Sequence, residues 1–140
     1  MNNTAKLLYD WSLFFAAGCV GGLVCALSMW FSGAIGLSGS FSVKIAPALT
    51  TQFLYVKTIQ GGLWATLFLL PIMPRPWFLR GIVIALIPAA FELFVSLPIV
   101  KNQGILGMHL GTYTPIFVLC FHMIWGLSIT IWLRFIGAKA

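Results

Sequence analysis

WSLFFAAGCVGGLVCALSMWFSGAI, residues 11–35, carries no charged side chain along its whole length. Crossing ~30 Å of hydrocarbon takes about 20 helical residues, so this run is long enough to span a bilayer. It is also longer than the apolar stretch of a signal peptide, which is about 7–15 residues. We read it as a retained first helix, and Ser38-Gly39-Ser40 after it as a connection and not a cleavage region.

The rest of the chain repeats this pattern. Residues 78–100 and 114–136 are two further apolar runs, each followed by basic or polar residues. A run over residues 47–70 is less clean. Its purely apolar part is short, and a full crossing must carry Lys57, whose long stem can snorkel to the headgroups. Pro47 suits a first helical turn. One long, tilted helix over 47–70 is expected, and the alternative is a separate interfacial helix over 45–56. Between the second and third runs, Pro71, Pro74 and Pro76 remove backbone donors and force a tight turn. Residues 104–113 are Gly-rich and read as a loop.

Composition agrees. Hydrophobic residues make up 61% and charged residues 7% of the 140, and the mean hydropathy is +1.04. A soluble domain is roughly 25% charged. The runs are too continuous for outer-membrane strands, which alternate every second residue. The fold class expected is therefore an all-α integral membrane protein: a single-domain four-helix transmembrane bundle whose main partner is the lipid bilayer.

Eight Lys and Arg against two Asp and Glu give a formal charge of +6. The basic residues stand singly at the edges of apolar runs, so nucleic-acid binding, which needs clustered phosphate contacts, is not expected. They read as a topology signal. Lys6, Arg75, Arg80, Arg134 and Lys139 fall on one side of a four-crossing bundle, and Lys44, Lys57 and Lys101 on the other. That bias puts both termini in the cytoplasm. The two hairpins carry a weak repeat: residues 22–27 resemble 81–86, and 63–65 echo 124–126.

Small residues four apart let helix backbones approach. Gly18, Gly22 and Ala26 do this on the first helix, Gly61 and Ala65 on the second, and Gly126 on the fourth. Glu92 is the only acid deep in apolar sequence. A charge at mid-bilayer costs at least ~2.5 kcal/mol, so Glu92 must face the bundle and find partners there. Counting 1.5 Å per residue from the nearest helix ends puts Glu92 and Gln60 at ~16 Å and His122 at ~18 Å. These three form a candidate intramembrane polar layer. It is either a hydrogen-bonded lock or a proton-titratable or ligand-binding site. Cys19, Cys25 and Cys120 show no metal spacing, and no catalytic motif, metal or cofactor is expected. His109 and His122 do not suit haem, because each would need a partner histidine on another helix and the chain has no other.

Pro74-Arg75-Pro76-Trp77, Arg80-Gly81, Leu97-Pro98, the Gly-rich loop, His122 and Trp125-Gly126 together resemble small bacterial four-helix inner-membrane proteins of the YagU-like type. The resemblance spans residues 17–134 and implies a bacterial inner-membrane location with no established activity. This chain departs from it in the second helix, with Gln52 or Gln60 where a His is expected. The leading functional expectation is an accessory or structural subunit acting through helix packing, as a homo-oligomer or part of a larger membrane complex. The alternative is a small proton-linked transporter or channel using Glu92, as an oligomer.

Overall fold

The computed structural model describes residues 2–72 and 76–138. Among them every regular element is helical: α1 (Asn3–Ala34), α2 (Leu37–Ser40), α3 (Thr51–Trp64), α4 (Trp77–Phe91) and α5 (Thr114–Phe135). Three helical stretches are long and apolar enough to cross a membrane: Asn3–Ala34, Trp77–Val100 and Thr114–Phe135. Met73, Pro74, Arg75 and Lys139 lie outside the described residues. The expected turn is therefore seen only at its edges, and so are two of the basic residues counted for orientation.

The second helix corrects the expected 47–70. It starts at Thr51, because Thr50 accepts a hydrogen bond from the Phe53 N–H at 3.1 Å and caps the first turn. Pro47 stands outside the helix, and no separate helix occupies 45–56. Instead Val43 is buried, and the Lys44 N–H donates to the Leu110 carbonyl at 2.7 Å, tying this extended segment to the later loop. α3 itself has 14 residues and tightens into a 3₁₀ turn over Ala65–Leu69. Ser38-Gly39-Ser40 belongs to the short helix α2, with Ser38 buried. The Gly-rich loop is also ordered, as short 3₁₀ turns within Ile105–Leu110 that are separated by a kink at Leu106 and Gly107. There Gly107 (φ 69°) is buried, and a β-carbon on it would press on Leu97 and Thr114.

Helix packing follows the small residues. α1 crosses α3 with Gly18 against Gly61 and Ala65, and Gly22 against Gly61 and the Lys57 carbonyl. α4 crosses α5 with Gly81 against Gly126. Ala26 is fully buried. Both hairpins thus close on glycine, but the registers differ. Gly81 meets Gly126, whereas its counterpart Gly22 meets Gly61, one turn from Ala65, the counterpart of Gly126. α1 and α5 pack together and join the hairpins around Phe68, Ile84, Trp125, Ile129 and Leu133. Arg80 fastens the remaining end: its guanidinium donates to the Phe68 carbonyl at 2.6 Å and the Leu70 carbonyl at 3.2 Å, satisfying carbonyls where α3's 3₁₀ turn ends.

The helical stretch Trp77–Val100, the third of the four apolar runs expected and termed the third span for that reason, changes its winding at Glu92. Pro88 withdraws the donor that the Ile84 carbonyl would take in an α-helix. From Glu92 to Val100 the chain then forms a wider π-helix. The Lys101 N–H continues the pattern, donating to the Ser96 carbonyl five residues back at 2.9 Å. Such windings are rare and occur often at functional sites.

Candidate functional site

α3 leans on α1, and α4 leans on α5. Between α3 and the π-wound half of the third span lies a cavity of about 670 Å³. Gly22 and Cys25 of α1 line it, with Phe121, His122 and Trp125 of α5. α3 contributes Lys57, Gln60 and Trp64, and the third span contributes Phe91, Glu92, Ser96 and Lys101. Glycine explains part of the shape: at Gly22 and Gly61 the wall is bare backbone, because α1 and α3 need the close approach.

The three residues of the expected polar layer, Gln60, Glu92 and His122, all line this one cavity. They do not form a single network. Among the described residues no hydrogen bond joins them. Glu92 instead pairs with Lys101, whose Nζ donates to Oε1 at 2.6 Å. The Glu92 side chain is 20% exposed and that of Lys101 48%. His122 Nδ1 sits 2.8 Å from the Val118 carbonyl, four residues back on its own helix. A carbonyl can only accept, so Nδ1 carries the proton in that bond and Nε2 is the acceptor of the neutral ring.

The cavity is graded along its length. At one end the loops meet through Lys44 N–H to Leu110, and Gln103 N–H to Leu97 at 2.8 Å. Lys44, Lys101 and Gln103 line that end. Towards the far end of α3, the Trp64 and Phe91 rings approach to 5.3 Å between centroids and bound the space with aromatic surface. Trp125 is buried, lines the cavity, and has an indole N–H with no partner among the described residues.

Lys101, Lys57, Ser96 and Gln103 are the site residues that sequence reasoning missed. Lys57 had a visible signal, as a cation inside an apolar helix. Lys101 did not. Nine residues are about two and a half α-helical turns, which puts Glu92 and Lys101 on opposite faces. The i→i+5 winding takes more residues per turn, so the same nine residues bring them to one face.

His109 lies in the Ile105–Leu110 segment and does not share the cavity lining with His122. No group of three metal-binding side chains occurs among the described residues. Neither a family model, nor a curated protein, nor a solved structure matches the chain.

Proposed function

We propose that the chain is a small multi-pass membrane protein of the transport class that takes a solute into the cavity beside Glu92. The observation that carries this reading is the cavity itself: its volume falls within the ~300–1,000 Å³ of ordinary small-molecule sites, and an ion pair stands on its apolar wall. Four crossings, with α3 and its 3₁₀ turn as the shortest, would set the cavity within the bilayer and put both termini on the cytoplasmic side. The YagU-like resemblance is in keeping with a bacterial inner membrane. A purely structural role through helix packing is less well supported. Gly18, Gly22, Gly61, Ala65 and Gly126, the small residues expected to face a partner, are spent on contacts inside the chain.

Accessibility tests the reading. In a background with Cys19, Cys25 and Cys120 changed to Ala, Ser96→Cys is treated in sealed vesicles with a charged, water-soluble methanethiosulfonate. Modification from the side that carries Lys44 and Lys101 is expected. A thiol that stays unreacted from both sides until detergent is added would overturn the proposal.

A further inference from the structure

The charge balance of the cavity points to the class of molecule it receives. Lys44, Lys57 and Lys101 line it, with Glu92 as its single acid. The chain's other acid, Asp10, lies twelve residues from Gly22 along α1, ~18 Å away. Lys101 takes the short bond to Glu92, through Oε1. Lys57 has no ion pair among the described residues, although it is half-buried and set in the cavity wall. An ammonium without a carboxylate partner is free to form a charge-assisted bond to an arriving anion. Met29, Trp64, Phe91 and Phe121 offer apolar surface for a hydrocarbon or aromatic body.

Resting on the cavity reading above, we propose that the ligand is an amphipathic organic anion. Its carboxylate or phosphate is held by Lys57 and Lys101, and its apolar body lies against Trp64 and Phe91. In this arrangement Glu92 is the resident competitor. It holds Lys101 at 2.6 Å, and an arriving anion must draw that ammonium from it. A volume of about 670 Å³ suits a compact or single-chain body, since sites of this size bury drug-sized ligands. No covalent step is involved.

The probe is 11-(dansylamino)undecanoate, an anionic amphiphile whose dansyl group accepts energy from tryptophan. The full chain in phosphatidylcholine nanodiscs is titrated with it, and with the uncharged primary amide of the same acid. Saturable transfer is expected for the acid. Lys57→Gln should weaken it about tenfold, the usual effect of losing one charge-assisted hydrogen bond. Lys57→Arg should restore most of the binding, which separates lost charge from lost folding. Glu92→Gln should tighten the acid severalfold and leave the amide unchanged. Repeating the titration with phosphatidylglycerol in the discs identifies the source. Loss of transfer means that a bilayer lipid supplies the anionic head, and persistence means a free amphiphile; both keep the class. Saturable binding of acid and amide with equal strength, indifferent to Lys57→Gln, would overturn the anion while leaving the cavity standing. No saturable transfer from either probe, together with an unreactive Ser96→Cys, would overturn both.

Discussion

α3 has two sides that behave in opposite ways. Against α1 it closes until backbones touch: a β-carbon added at Gly61 would sit 2.5 Å from the Gly18 carbonyl oxygen and 2.7 Å from the Gly22 α-carbon. Towards the third span it stands off and leaves about 670 Å³. The difference lies in the side chains. Gly61 and Ala65 present nothing to hold α1 away. Lys57, Gln60 and Trp64 are long or broad, and they meet Phe91, Glu92 and Lys101, which are equally so. One helix thus builds a seam with its small residues and a site with its large ones, as expected where association depends on packing and not on expulsion of water.

Breaking the seam should have the largest effect. Gly61→Leu forces backbone apart from backbone, and we expect a loss of about 3 kcal/mol or more, read from reversible unfolding in mixed micelles. Gly126→Ala tests the equivalent seam, since its β-carbon would meet the Gly81 carbonyl. About 2 kcal/mol is expected there. Equal stability of either variant with wild type would show that the glycines are not what brings the helices together.

Arg80→Gln should come next. It gives up two bonds to carbonyls and a guanidinium placed 5.7 Å from the Phe68 ring centroid. Charged hydrogen bonds of this kind are worth about 1.5–3 kcal/mol, and partial exposure places the expectation near the lower end. The loss should show first as faster proteolysis between α3 and α4. The smallest effect is expected on the open side. Lys101→Gln removes a half-exposed partner of Glu92, and its stability cost should be about 1 kcal/mol or less after solvent screening. A much larger cost would mean that the pair holds the third span in its π winding, and would move Glu92 from the site to the scaffold. Amide hydrogen exchange over residues 92–101 makes that distinction.

Much of the fold was legible because its signals are local. The uncharged run at 11–35 and the small residues four apart are each read within a single helix. The start of α3 was misjudged for the same reason. Pro47 is a good first-turn residue, but Thr50 is a better cap, and the chain before it is held extended by the Leu110 carbonyl, some sixty residues further on.

What the sequence alone determined is that long apolar helices pack through small residues, and that one acid among them must turn inward. It also grouped Gln60, Glu92 and His122, which line one cavity, because rise per residue is nearly independent of context. Only the tertiary structure decided the acid's partner and the space around it. Rotation about the helix axis, unlike rise, changes with the winding. The π-helix that begins at Glu92 turns Lys101 onto the face that α-helical phase denies it. The gap beside that face exists because α3 and α4 each lean on a different neighbour.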